Sequence, residues 1–360
     1  MRLTLSVIKA DIGSIGGHLA PSEAVVDTVR QAVGERMEGW LIDYSVGSIG
    51  DAVAILMTHR QRVAHSDIHR IAWDAFVKGA EVAKRQGLSG AGQDLLTETF
   101  PGHLEGTGPD AAEMQIDERE HESFLFFASD KADPGVFNLP LYLAFADAMN
   151  TPGLALSEEI NQGFRFQVTD IGHEGRGRRI LDLQAPEDIY ELAALLRNPD
   201  RYVITSIRSR ATDDHAVQVS ASRRFNDDPV MLVRTQGSFP TTGEVLAPYA
   251  IGPLVGGGIH GSHPMPLMPV ALATQTSYFD GPPLVSCAAF SVHEGQLTEP
   301  VDVFAHPFWD TVRRSVASKA IEIRRQGFVG ASIRPMAESA YSHSTERLKA
   351  LDERFTTLQA

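Results

Sequence analysis

The chain has 360 residues, 43% of them hydrophobic and 22% charged, enough apolar material for a sizeable core. Its 46 acidic residues outnumber 32 basic ones for a net charge of -14, which disfavours nucleic acid and anionic membrane as partners. No apolar run is long enough to span a bilayer, no signal-peptide pattern opens the chain, and the one cysteine cannot make an internal disulfide. Together these point to the cytoplasm.

Leu3 to Ile8 alternates as a half-buried strand does and stops at Asp11, from which a glycine-rich turn leads to His18. A carboxylate at a strand end, a loop that permits close approach and an imidazole make half of a metal or phosphate site. Pro21 and Ser22 open a helix with Val25, Val26, Val29 and Val33 at helical spacing. Trp40 to Tyr44 reads as a strand, Gly47 to Gly50 as the turn into Asp51, and Ala52 to Met57 as the next strand. A long helix follows, capped by Ser66 or Asp67, with Ile68, Ile71, Ala72, Ala75, Phe76, Gly79, Val82 and Ala83 as its buried stripe and Gly87 as its stop. His65 and His69 are four apart but have no glutamate between them and no third ligand nearby. They read as surface or capping histidines.

A loop from Gly90 to Leu96 and a long irregular connection through His103 to Pro109 come next. Phe124 to Ala128 reads as a fully buried strand ending at Asp130 and Lys131. Further strands are expected at Phe164 to Val168, Tyr202 to Ile204, Val217 to Val219 and Val230 to Val233, the last preceded by Asn226-Asp227-Asp228-Pro229. Pro186 to Leu196 has helical spacing. Leu272 to Tyr278 and Leu284 to Val292 are expected as strands, the latter holding Cys287 as a core thiol. Helices are expected from Pro307 to Gln326 and from Ser344 to Phe355. Mixed helices and fully apolar strands indicate an α/β protein with sheets covered by helices. The length allows one large domain or two, and no linker decides between them.

Asp11, Asp51, Asp130, Asp227 and Asp228 all fall where a strand meets a turn. If those ends converge, only cations or protons can neutralise them. Oxygen donors with few nitrogens and no thiolate suit Mg²⁺ or Mn²⁺, which bridge carboxylates to phosphate groups, and Lys131 adds a cationic donor. Strand-end aspartates also serve turns and caps, so the residues alone leave both readings open.

The segments Ser6 to Ser14, Ala91 to Leu96, Ala128 to Lys131, Phe137 to Tyr142, Asp227 to Met231, Gly261 to His263, Pro266 to Pro269 and Phe279 to Pro283 run nearly end to end. In this order they resemble the archaeal and bacterial bifunctional fructose-1,6-bisphosphate aldolase/phosphatase family. The resemblance implies a single domain over 1–360, a four-layer α-β-β-α sandwich, a homo-octamer and several Mg²⁺ ions per site, with Mn²⁺ as an alternative. The family's metal ligands fall on Asp11, His18, Asp51, Gln93, Asp130, Asp227 and Asp228. Substrate contacts fall on Lys131, Gln236, Asp280 and Tyr341, with His18 at the same pocket and Lys131 and Tyr341 in catalytic roles.

The sequence also departs from the family. Ala52 replaces a second aspartate, Asn226 replaces the Schiff-base lysine, and Arg223 replaces a tyrosine of aldol proton transfer. Ser89, His103 and His260 stand where the family has tyrosine, asparagine and arginine in the substrate pocket. An amide cannot form an imine, and Lys9 and Lys131 are the nearest amines left in sequence. The expectation is therefore a Mg²⁺-dependent sugar-bisphosphate phosphatase that has lost imine-based aldol chemistry. The alternatives are a metal-dependent lyase on another phosphosugar or a non-catalytic metabolite-binding member.

Overall fold

In β1 (Arg2–Ala10), Leu3, Leu5 and Val7 point one way and Ile8 and Ala10 the other, and both sets are buried. A strand buried on both faces must lie inside a sheet that is covered on both sides. The computed structural model describes residues 1–95, 108–173, 178–220, 228–257, 263–277, 281–325 and 350–358. There β1 is flanked by antiparallel partners β3 (Ala52–His59) and β4 (Asp110–Asp117), and β2 (Asp43–Ile49) closes the order β2-β3-β1-β4.

One face of this sheet carries α1 (Glu23–Gly34) and α2 (Ser66–Arg85). Ser22 caps α1, its hydroxyl accepting the Val25 N–H. The cap of α2 is His65, whose Nδ1 accepts the Asp67 N–H at 3.3 Å, rather than Ser66 or Asp67. The expected stripe of α2 is buried except for Val82, which is only partly covered. His69 is fully buried, not a surface histidine. It faces Glu113 of β4 at 3.2 Å, in a polar pocket that Ser6 and His59 complete.

The second sheet holds β5 (Glu122–Asp130), β6 (Phe164–Asp170), β7 (Arg178–Ala185), β8 (Tyr202–Ser209), β9 (His215–Val219) and β10 (Val230–Thr235). A β-hairpin of β11 (Leu254–Gly257) and β12 (His263–Pro266) stands apart, and β13 (Met268–Pro269) and β14 (Leu284–His293) extend the sheet. Its order is β13-β14-β5-β10-β9-β8-β6-β7, with Thr356–Leu358 on the last edge. The two sheets pack through Leu5, Val7, Leu56, Met114, Phe124, Leu232 and Phe290. The outer face of the second sheet is covered by α3 (Asn138–Ala146), α5 (Ile189–Leu196), α6 (Thr242–Leu246) and α7 (Phe308–Arg325); the short α4 (Gly153–Leu156) follows α3. The layers are therefore α-β-β-α, as expected, in one α/β domain.

Four local expectations need correction. Strand β2 starts at Asp43 and runs through Gly47, so the turn is Gly50-Asp51 alone. Residues 272–277 form no strand; they cross the site end of the molecule, where the Thr276 hydroxyl donates to the His18 carbonyl at 2.8 Å. Helix α5 begins at Ile189, three residues after Pro186. Of the expected helix from Ser344 to Phe355, 344–349 lie outside the described residues, 350–352 are helical, and 353–355 leave the helix ahead of a short strand at 356–358. Cys287 is buried in β14, as expected, and burial pushes its thiol well up. Among the described residues no helix is long and apolar enough to cross a membrane.

The pocket beneath α2 has a consequence for acid stability. Burial holds the His59 imidazole down at about 4, against an ordinary value near 6.5, with Glu113 opposing and His65 and His69 adding to the shift. The unfolded chain therefore takes up a proton below pH 6.5 that the folded chain refuses until about pH 4. This contribution is complete above pH 6.5 and is lost as pH falls toward 4, on the order of 3 kcal/mol. Asp11, Asp94 and Asp130, whose carboxyls are raised, run the opposite way. The difference between wild type and His59→Gln isolates the histidine. Urea midpoints measured from pH 7 to 4.5 should fall less steeply for the variant; parallel curves would contradict the assignment.

Candidate active site

The ends of both sheets meet at one edge of the interlayer core. In the first sheet β1 delivers Asp11 and the β2–β3 turn delivers Asp51, since Ala10 pairs with Val53. In the second, β5 ends at Asp130 and β10 begins just after Asp228, since Ala128 pairs with Val230. Lys9 ties the two sheets together, its Nζ donating to the Ser129 carbonyl at 3.1 Å. Four of the strand-end aspartates, Asp11, Asp51, Asp130 and Asp228, thus converge.

His18 Nδ1 lies 2.9 Å from Asp51 Oδ2 and 3.6 Å from Asp11 Oδ2. Ligand atoms of Asp11, His18 and Asp51 lie within 4.8 Å of one another, close enough to share one ion. The Lys131 ammonium donates to Asp51 Oδ2 at 2.8 Å and stands 3.6 Å from Asp130 Oδ1. Asp228 clamps the turn after β5: its N–H donates to the Ala132 carbonyl and its Oδ1 accepts the Ala132 N–H, each at 2.7 Å. The Gln93 side chain reaches the same place, because a Cβ built on Gly90 would lie 3.0 Å from Gln93 Oε1, 3.7 Å from His18 Cε1 and 3.9 Å from Asp11 Oδ2. Ser89 lies beside the His18 loop through paired backbone hydrogen bonds with Ser14.

Asp130 is fully buried, and among the described residues neither of its carboxylate oxygens accepts a hydrogen bond. Burial, then the Asp228 carboxylate, push its carboxyl well above the usual range, with Lys131 opposing. Burial, Asp51 and Asp94 raise Asp11 to about 7. Burial also works to raise Asp51, but the Lys131 ammonium outweighs it and the carboxyl ends below its ordinary value. Burial likewise opposes the charge on Lys131, yet Asp130, Asp228 and Asp51 outweigh it and hold the ammonium above the ordinary lysine range. Gly50 marks how tightly the sheets close here: it adopts φ +53°, and a Cβ there would fall 2.0 Å from the Asp130 carboxyl carbon. His18, Lys131 and Asp228 also adopt positive φ, a strain that surrounding structure must hold in place.

Gln236 does not join this cluster. It follows the far end of β10, a strand roughly 20 Å long at about 3.3 Å per residue, where its carbonyl accepts from Arg119 at 2.9 Å. The remaining expected site residues, His103, Arg223, Asn226, Asp227, His260, Asp280 and Tyr341, lie outside the described residues. Asp94 is a site residue that sequence reasoning passed over. Its Oδ2 accepts the Asp11 N–H at 2.7 Å, and burial raises its carboxyl to about 6, against the opposing Asp11 hydrogen bond and Lys9. The only signal was its position next to Gln93.

A family model described as fructose-1,6-bisphosphatase matches residues 2–356. The chain belongs to this fructose-1,6-bisphosphatase family. Similar relatives carry the name fructose-1,6-bisphosphate aldolase/phosphatase. One from Thermus thermophilus is 48% identical over 364 residues, covering 99% of this chain and all of the relative. One from Ignicoccus hospitalis is 42% identical, covering 98% and 93%, and one from Cenarchaeum symbiosum is 40% identical, covering 100% and 96%. In this member of the fructose-1,6-bisphosphatase family the acidic edge brings Asp11, His18, Asp51, Asp130, Lys131 and Asp228 together.

Proposed function

We propose that this chain is a Mg²⁺-dependent phosphatase of a sugar bisphosphate such as fructose 1,6-bisphosphate, and that imine-based aldol cleavage is lost. The single observation that carries the metal dependence is Asp130: a buried carboxyl crowded by Asp51 and Asp228, all three sharing the one Lys131 ammonium, which stands 3.6 Å from Asp130 Oδ1. Such a group demands a counter-charge. Carboxylates, one imidazole and one side-chain amide are the donors a hard cation takes, with Mn²⁺ able to replace Mg²⁺. Asp11, His18, Asp51, Gln93, Asp130, Asp227 and Asp228 would hold the ions. A bound divalent cation supplies charge neutralisation and Lewis-acid polarisation of the phosphate ester. Lys131, already protonated and fixed by Asp51, supplies a donor to a phosphate oxygen.

The loss of the aldol step rests on amines. The amide of Asn226 cannot condense with a ketone. Lys131 is held as an ammonium, and Lys9 is buried with its Nζ on Ser129. Exposed Met149, Leu156, Tyr190, Ile251, Phe308 and Ile321 support self-association, for which we propose the homo-octamer, acting in the cytoplasm.

The test runs two reactions on one preparation in Mg²⁺. Phosphate release from fructose 1,6-bisphosphate is expected, and borohydride with dihydroxyacetone phosphate is expected to leave no lysine adduct. An adduct would show that imine chemistry persists. Absence of phosphate release across a panel of sugar phosphates would overturn the phosphatase reading.

A further inference from the structure

We infer that Asp94 is a positioning residue of the cation site, setting the direction of Asp11 through Asp11's own main chain. The inference rests on the metal-dependent reading above.

Asp11 lies just beyond both β-ladders of β1. Pairing with β3 ends at Ala10 and Val53, and pairing with β4 ends at Lys9 and Asp110. A residue past the last rung has no sheet partner for its backbone, yet this one must hold a carboxylate in place. Asp94 takes the partner's role twice. Its Oδ2 accepts the Asp11 N–H at 2.7 Å, and its N–H donates to the Asp11 carbonyl at 3.2 Å. Two bonds to the N–H and C=O of one residue fix that residue's φ and ψ, and with them the vector of its side chain. Neighbouring bonds continue the seam: Gly92 N–H to Ile12 O at 3.1 Å, and Ser14 with Ser89 in both directions.

Asp94 also sits in the one-turn 3₁₀ segment Gln93–Leu95, so the same clamp holds the Gln93 side chain toward Asp11 and His18. A carboxylate is a costly choice for this task, since it adds negative charge beside Asp11, Asp51 and Asp228. Its oxygen acceptor does the positioning; an amide oxygen at the same place would make the same bond.

The test is Mn²⁺ binding to substrate-free protein by calorimetry, for wild type, Asp94→Ala and Asp94→Asn, with KM and kcat for fructose 1,6-bisphosphate taken at saturating metal. Loss of an outer partner of a metal ligand weakens binding about 10–100-fold, and Asp94→Ala is expected in that range. Its KM at saturating metal should stay within about twofold of wild type. Asp94→Asn keeps an oxygen for the Asp11 N–H and should retain Mn²⁺ affinity within about fivefold. Should the alanine variant not fold, Asp94→Asn against Asp94→Leu carries the same comparison. Equal Mn²⁺ binding by wild type and the alanine or leucine variant overturns the inference while leaving the metal reading intact. Equal losses in Asp94→Asn and Asp94→Ala overturn it too, because charge rather than the clamp would then matter. A wild-type protein that binds no Mn²⁺ overturns both.

Discussion

Asp130→Asn is expected to lower kcat/KM for sugar-bisphosphate hydrolysis by more than about 100-fold, beyond what loss of an outer partner costs a metal site. The same substitution is expected to stabilise the metal-free protein. Asparagine has the shape of aspartate, so the contact with Gly50 is kept while the cost of burying a carboxyl beside Asp51 and Asp228 disappears. Relief of even 1 kcal/mol would raise Tm by about 2 °C in a chain of this size. Wild type should gain Tm on addition of Mg²⁺ by preferential binding to the folded state, and the variant should not. Thermal melts with chelator and with Mg²⁺, beside phosphate-release kinetics, give both readings. A variant less stable than wild type in chelator would mean that Asp130 is satisfied by the fold itself.

Lys131→Met is expected to reduce kcat by about 10²–10³-fold, the range for removing one preorganised donor to developing charge. The metal response should move the other way. With the ammonium gone, Asp51 and Asp130 lose their nearest fixed cation, and a divalent ion replaces it at greater advantage. Half-saturating Mg²⁺ should therefore fall as kcat falls. Removing one member of a buried pair also destabilises the metal-free protein by about 3–5 kcal/mol, which Mg²⁺ should largely restore. Mg²⁺ titration of steady-state rates separates the effects. A parallel weakening of kcat and Mg²⁺ dependence would make Lys131 a structural support rather than a contact of the phosphate.

Much of this site was legible before any coordinates. Apolar runs that stop at Asp11 and Asp130, and the run that starts after Asp228, are what central strands look like, and strands that share a core must end near one another. Buried stripes gave α1 and α2 for the same reason. Other features were hidden by local ambiguity. Gly47 reads as a turn residue, yet β2 accommodates it at an edge of its sheet. β4 alternates Ala112, Met114 and Ile116 with polar residues, but it follows a long irregular stretch, and the partners of Glu113 are far away in sequence. Leu272 to Ser277 has strand-like residues but makes scattered backbone bonds, to Ser48, Gly50 and Leu19, rather than a ladder, and serves to hold the His18 loop. His65, read as a surface or capping histidine, does cap α2, through an imidazole nitrogen in place of the usual hydroxyl or carboxylate. Asp94 could not be seen because its role runs through the backbone of a residue 83 positions away. Gln236 shows the opposite case, a position matched by family pattern that the chain's own topology carries to the far end of β10.

Phosphate release from fructose 1,6-bisphosphate after exhaustive chelation, followed by stepwise return of Mg²⁺, bears most directly on the convergence of Asp11, Asp51, Asp130 and Asp228. Activity should vanish with the ions and come back in a saturable manner as they are restored. Undiminished turnover in the chelator would mean that this acidic edge works without them.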